Sequence, residues 1–200
     1  MSNKLWFEIP GYFNYMETYE MIAHKLPEGS RFIELGCLLG KSTNFLGSRL
    51  KELNKKFEFH VVDTFEGTAG EHDHLKSFHD VFMENCGHLV EEGWITKVHK
   101  MRTDEAVKLF EDEYFDAVMV DADHKYEPVY EDVTNWLPKI KKTGTIFGDD
   151  HYMPSVAQGC SKAMSDYFKQ NTTYHIMEGR ESTWFHDLSG NHERWTKKIP

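Results

Sequence analysis

Two hundred residues, 40% of them hydrophobic and 14% aromatic, describe one domain long enough to bury a sizeable core. The formal net charge of -10 argues against nucleic acid as a partner, because a polyanion needs a basic face. The clusters Lys139/Lys141/Lys142 and Arg194/Lys197/Lys198 read only as short patches of solvated surface. Three cysteines without a pairing pattern suit a reducing compartment, and no apolar run reaches membrane-spanning length or has a signal-peptide layout. The expectation is a soluble cytoplasmic protein that does not engage a membrane.

Residues 1–27 precede the first core strand and form a cap region; residues 28–200 carry the rest of a single domain. In the cap, Leu5-Trp6-Phe7 and Gly11-Tyr12-Phe13 are aromatic-rich, and Met16, Tyr19, Ile22 and Ala23 recur at helical spacing between Tyr15 and Lys25. This segment reads as packing over the sheet or, alternatively, as part of a substrate mouth. Pro27-Glu28-Gly29-Ser30 turns into the first strand.

Arg31-Phe32-Ile33-Glu34-Leu35 is short, apolar and β-prone; Gly36 stops it, and Gly40 stands just before Lys41-Ser42-Thr43 open a helix. A strand that ends on glycine lets backbone approach a ligand, and a helix start adds unpaired N–H groups and a positive dipole end. The G-x-x-x-G spacing departs from both the dinucleotide fingerprint and the phosphate loop. A helix over Ser42–Leu53 follows, then a strand over Phe57–Asp63 that again ends on an acid. A carboxylate there can accept hydrogen bonds from both hydroxyls of a ribose, although it can equally cap a helix. Thr64 and Phe65 come next, the ring available to lie against an adenine. Thr68–Lys76 reads as a polar loop over the binding edge, in preference to a metal site at His72 and His74. A helix over Ser77–Leu89, a strand over Trp94–Met101 and a helix capped by Thr103 complete the first half.

Tyr114–Asp121 is the most β-like run and suits a central strand covered on both faces. It leads into Asp121-Ala122-Asp123-His124-Lys125-Tyr126 and a helix whose buried face is Val129, Val133, Trp136, Leu137 and Ile140. Lys142-Thr143-Gly144 reads as a turn into a fifth strand, Thr145–Gly148, which ends on Asp149-Asp150-His151. Parallel strands share one carboxyl edge, so Glu34, Asp63, Asp121, Asp149 and Asp150 converge there. Two carboxylates about 4 Å apart repel by roughly 4 kcal/mol near a surface, so the group calls for a proton or a cation unless it diverges into solvent as capping residues. Oxygen ligands suit Mg2+, whereas His124 and His151 would draw a softer metal. A helix over Pro154–Tyr167 buries Val156, Cys160, Met164 and Tyr167. Tyr174–Arg180 and Ser182–His186 then form a closing hairpin, necessarily antiparallel.

The E-L-G-x-x-x-G of Glu34–Gly40 resembles the first motif of class I S-adenosylmethionine-dependent methyltransferases. Together with V-D-T-F at Val62–Phe65, D-A-D-H-x-Y at Asp121–Tyr126 and G-D-D at Gly148–Asp150, it resembles the branch of small O-methyltransferases and sugar- and antibiotic-modifying enzymes. The resemblance runs from about Gly11 to Phe168. It implies an α/β, Rossmann-like, doubly wound and mostly parallel seven-stranded sheet with a C-terminal antiparallel hairpin. It implies S-adenosylmethionine held by Glu34, Gly36, Gly40, Ser42, Asp63, Thr64, Phe65, Thr103 and Asp121. It makes Asp121, Asp149 and Asp150 ligands of Mg2+ or another divalent cation. Catechol-type relatives place a lysine base three residues after the metal-binding Asp; here that residue is His124, so Asp121, His124 and His151 are the candidate catalytic residues, with Asp123 a rival base. The implied activity is metal-assisted O-methylation of a small hydroxylated acceptor, sugar-like or phenolic. Cephalosporin hydroxylase-like relatives and a non-catalytic S-adenosylmethionine-binding subunit are the alternatives, and an oligomer is compatible with all of them.

Overall fold

The computed structural model describes residues 4–67, 77–169, 174–177 and 182–196. The Thr68–Lys76 loop with His72 and His74, and the turn of the closing hairpin, lie outside the described residues. Strands β1 (Arg31–Leu35), β2 (Glu58–Asp63), β3 (Lys97–Lys100), β4 (Phe115–Val120) and β5 (Ile140–Gly148) run parallel. Strands β6 (His175–Ile176) and β7 (Trp184–Asp187) pair antiparallel, and β7 lies between β6 and β5, giving the order β3-β2-β1-β4-β5-β7-β6. The expected mostly parallel seven-stranded sheet with an antiparallel end is therefore present.

Alternate residues of the central strands face opposite layers, as strand geometry dictates. Phe32, Phe59, Ala117, Met119 and Phe147 pack under helices α1 (Met16–Lys25), α2 (Lys41–Glu52) and α3 (Phe78–Glu91). Ile33, Val62, Val118, Val120 and Ile146 pack on the other side with the short α4 (Thr103–Ala106), α5 (Tyr126–Trp136) and α6 (Pro154–Phe168). Both faces are covered, which is why the strands read as continuous apolar runs. The final α7 (Glu193–Thr196), without a signal in the sequence, delivers Trp195 to the first layer. The Trp195 indole N–H donates to Thr145 Oγ1 at 2.9 Å and to Asp187 Oδ2 at 3.0 Å.

Several boundaries differ from expectation. Lys142-Thr143-Gly144 is not a turn: β5 begins at Ile140, and its register with β4 jumps from Phe115↔Ile140 to Ala117↔Thr145. The extra residues bulge out, fixed by Lys141 Nζ on both oxygens of Asp116 at 2.8 Å. The helix before it stops at Trp136 because Pro138 has no N–H to continue the ladder, so Ile140 opens a strand instead of closing a helix. Arg102, not Thr103, holds the cap position of α4. Tyr167, assigned to a buried face, is 40% exposed, and Met16, spaced with the apolar residues of the cap helix, is 39% exposed.

Candidate active site

Backbone hydrogen bonds stitch the strand tips into one rim. Gly36 N–H donates to Val62 O at 2.9 Å, Asp121 N–H to Leu35 O at 2.8 Å, and Asp149 N–H to Val120 O at 3.3 Å. Glu34, Asp63, Asp121, Asp149 and Asp150 thus gather at the carboxyl edge of four neighbouring strands, where ligands bind in open α/β sheets.

The glycine turn is shaped first by the protein itself. Gly36 and Gly40 both have φ of +84°, a conformation that glycine adopts without penalty. A Cβ on Gly36 would lie 2.1 Å from the Asp121 carbonyl oxygen, and one on Gly40 would lie 2.5 Å from Cys86 Sγ. Gly36 therefore lets the tips of β1 and β4 close on each other, and Gly40 seats α2 against α3. Beneath the turn Glu34 is fully buried. Its Oε1 accepts from Tyr19 Oη at 2.7 Å and Ser42 Oγ at 2.6 Å, and its Oε2 from Thr43 Oγ1 at 2.5 Å. Burial pushes the Glu34 carboxyl up to about 7 against the pull of those three hydroxyls. Glu34 and Ser42 consequently face one another below the turn.

Asp63 braces the same turn from β2. Its Oδ2 accepts the N–H groups of Cys37 and Leu38, each at 2.8 Å, and its Oδ1 the N–H of Phe65 at 2.7 Å. A carboxylate offers about four acceptor positions, so room for a ribose hydroxyl remains. Thr64 Oγ1 accepts the Glu66 N–H at 3.3 Å. The Phe65 ring is buried, with its centroid 5.1 Å from those of both Phe82 and His79. Thr103, the first residue of α4, gives its hydroxyl to Asp132 Oδ1 of α5 at 2.5 Å, and burial pushes Asp132 up to about 6.

The tips of β4 and β5 carry the second half of the site. Asp121, His124 and Asp150 bring one ligand atom each within 4.8 Å of the others. His124 Nε2 lies 2.9 Å from Asp150 Oδ2 and 3.7 Å from Asp121 Oδ1. Those two carboxylates, Asp121 and Asp150, push His124 up to about 10, and the close contact with His124 holds Asp150 below its ordinary value. At neutral pH an imidazolium therefore balances the two acids. Asp149 stands beside this trio with its Oδ1 taken by Ser182 Oγ at 2.7 Å; burial, then the Asp121 charge, push it up to about 7. His151 is directed elsewhere, its Nε2 being 2.9 Å from Tyr174 Oη. Asp123 Oδ1 accepts the Lys125 N–H at 2.8 Å and lines the cleft beside the cluster.

Three contributors have no local signature in the sequence. Tyr15 Oη donates to Asp121 Oδ2 at 2.8 Å, and Asn14 Nδ2 to the Ser182 hydroxyl oxygen at 3.3 Å. Lys41 Nζ reaches Gly11 O at 2.9 Å. The N-terminal segment thus lies along the rim, and only its aromatic content hinted at a place near the mouth.

Residues 33–151 match a family described as a methyltransferase domain, a span of more than half the chain. The chain belongs to this methyltransferase family. No curated protein matches it significantly. Among solved structures, it is similar to CalS11, a TDP-rhamnose 3'-O-methyltransferase of calicheamicin biosynthesis, with a TM-score of 0.62 and 13% identity over 87% of this chain and 77% of that one. An O-methyltransferase from Bacillus cereus in complex with SAH gives a TM-score of 0.56 and 12% identity over 89% and 83% of the two chains. A protein of Clostridium thermocellum provisionally described as an rRNA methylase gives 0.60 and 12% over 90% and 97%. At such identities the likeness establishes the fold, and the family match establishes the enzyme class: this is an S-adenosylmethionine-dependent methyltransferase. No helix among the described residues is long and apolar enough to cross a membrane.

Proposed function

We propose that this methyltransferase acts on a hydroxyl of a small molecule, sugar-like or phenolic, with a divalent cation such as Mg2+ assisting. The observation that carries the reading is the convergence of Asp121, His124 and Asp150, with Asp149 alongside, one strand away from the glycine turn. Two carboxylates and an imidazole nitrogen gathered within 4.8 Å suit a divalent cation, and the turn braced by Asp63 fits the S-adenosyl group. S-adenosylmethionine, when bound, supplies a methyl group already activated by its sulfonium. A divalent cation, when bound, lowers the pKa of a nearby hydroxyl.

The residues of the chain do the rest. Gly36, Gly40, Asp63 and the first turn of α2 would hold the donor, with Glu34 and Ser42 fixing their geometry and Thr64, Phe65 and Thr103 bordering the adenosine. Asp121, Asp149 and Asp150 would hold the cation. The charges of Asp121 and Asp150 hold the proton on His124; with those acids turned to a bound cation, that proton would pass to solvent, and the vacated Nε2 would take the proton of the acceptor hydroxyl. His151, tied to Tyr174, is the weaker candidate for the base. Holding donor and acceptor in line removes much of the entropic barrier. The acidic balance of the chain weighs against RNA as acceptor, and three buried, unbridged cysteines support a cytoplasmic setting.

The test uses the full chain with labelled S-adenosylmethionine, offering catechol and methyl α-L-rhamnoside with Mg2+ or with EDTA. Transfer that falls at least about tenfold in EDTA is expected, and Asp150→Asn should lower turnover by roughly 10²-fold while S-adenosylhomocysteine affinity holds within about twofold. Undiminished transfer in EDTA removes the cation from the reading.

A further inference from the structure

Asp121 and Asp149 share a detail of geometry. Asp121 Oδ2 accepts the Tyr15 hydroxyl at 2.8 Å, while its Oδ1 lies on the side of His124, 3.7 Å from Nε2. Asp149 repeats the arrangement, its Oδ1 accepting the Ser182 hydroxyl at 2.7 Å. An ionised carboxylate only accepts, so in both pairs the hydrogen comes from the hydroxyl. Neither hydroxyl is free to wander. Tyr15 stands at the start of α1, where its carbonyl accepts the N–H groups of Thr18 and Tyr19. Its buried ring meets those of Phe13 and Tyr19 edge-on, with centroids 4.9 and 5.1 Å apart. Ser182 accepts the His151 N–H on its carbonyl at 3.0 Å and Asn14 Nδ2 on its hydroxyl oxygen at 3.3 Å. The backbone of each acid is pinned as well, Asp121 on Leu35 and Asp149 on Val120. With main chain and one oxygen both fixed, each carboxylate has a single oxygen left to offer.

We propose that Tyr15 and Ser182 are positioning residues that hold Asp121 and Asp149 as one-oxygen ligands, and so fit the cluster to Mg2+ in preference to the larger Ca2+. The proposal rests on the cation reading given above and adds which ion the cluster selects. Mg2+ demands a tight octahedral shell, takes its few carboxylates one oxygen at a time and keeps water in the remaining places. Ca2+ has a larger, looser shell and readily takes both oxygens of one carboxylate. A carboxylate released from its hydroxyl can turn both oxygens to the ion, which favours Ca2+. The two hydroxyls come from segments far from the acids in the chain, one ahead of α1 and one ahead of β7, so the selection is a property of the closed rim.

The test uses Mn2+ as the probe, its free ion counted by electron paramagnetic resonance in the full chain with S-adenosylhomocysteine present. Asp150→Asn identifies the Mn2+ bound at the cluster, and Mg2+ or Ca2+ is then added to displace it. Wild type should yield this Mn2+ to Mg2+ at a lower concentration than to Ca2+. In Tyr15→Phe, and separately in Ser182→Ala, affinity for Ca2+ relative to Mg2+ should rise roughly tenfold, the scale of one hydrogen bond. A hydroxyl that serves packing alone would lower the melting temperature and weaken both ions together, leaving their ratio unmoved. A ratio within about twofold of wild type in either folded variant overturns the proposal, while Mn2+ binding by wild type keeps the cation reading in place. Should neither variant fold, a wild-type chain that yields its Mn2+ to Ca2+ first overturns it. A wild-type chain that binds no Mn2+, or binds it no better than Asp150→Asn does, removes the cation reading and this proposal together.

Discussion

Glu34 shows how a residue can be conspicuous in the sequence while its role is not. Its place two residues before Gly36 marks the turn, yet its carboxylate serves Tyr19, Ser42 and Thr43 beneath it. Desolvation outweighs those hydroxyls and raises the folded value to about 7 from 4.5. A raised value means the folded state holds the proton more tightly, so the stabilisation is complete below pH 4.5 and is lost as pH rises through 7. The loss amounts to about 3 kcal/mol from this group. Glu34→Gln should flatten that part of the curve, which urea unfolding at pH 5 and pH 8 measures by comparison with wild type. An equal pH slope in both proteins would show that burial is not what holds the proton. Of the site residues, Asp63, Asp121, Asp149 and Asp150 were legible because acids at strand ends follow from one-dimensional pattern. Tyr15, Asn14 and Ser182 were not, since their contacts span 106 to 168 residues.

Among the elements, the turn between β1 and α2 has the least tolerance. The missing Cβ of Gly36 leaves space for the Asp121 carbonyl oxygen, so one turn couples the donor side of the rim to the acid cluster. Gly36→Ala should cost on the order of 1–3 kcal/mol in strain and separate the tips of β1 and β4. Calorimetry should then find S-adenosylhomocysteine bound at least about tenfold more weakly, along with a lower melting temperature. Wild-type affinity in the variant would mean that the tips are free to part without consequence. The strand–turn–helix itself was readable to within a residue, because apolar alternation and glycine act locally. β5 was not: Lys142-Thr143-Gly144 has turn composition, and only the bulge against Asp116 keeps it in the sheet. The packing of Phe65 against Phe82 was likewise silent in the sequence, because the partner lies on a different element.

For the molecule as a whole, the acidic rim followed most directly from pattern, and the mostly parallel seven-stranded sheet from the family resemblance. What the sequence left silent is the closure at the far end, where α7 wedges Trp195 against β5 and β7 through Thr145 and Asp187. Trp195→Ala removes a fully buried side chain and both of its hydrogen bonds, and a loss of about 3–5 kcal/mol in urea unfolding is expected. S-adenosylhomocysteine affinity of the folded fraction should stay near wild type, because Trp195 packs beside β5 and β7 and touches neither the turn nor the acid cluster; a parallel loss of affinity would contradict that separation.

The contacts made by Gly11, Asn14 and Tyr15 carry a practical consequence for handling the protein. A proteolytic nick just after Tyr15 would strip Ile9 and Tyr15, with Trp6 and Phe13 packed on them, from the first hydrophobic layer, so clipped material should melt below the intact protein. It would also lose the hydrogen bonds that Asn14 and Tyr15 make to Ser182 and Asp121 at the acidic rim. Mass spectrometry of the amino terminus belongs beside every activity measurement, because a lost peptide and a wrong substrate silence a preparation alike.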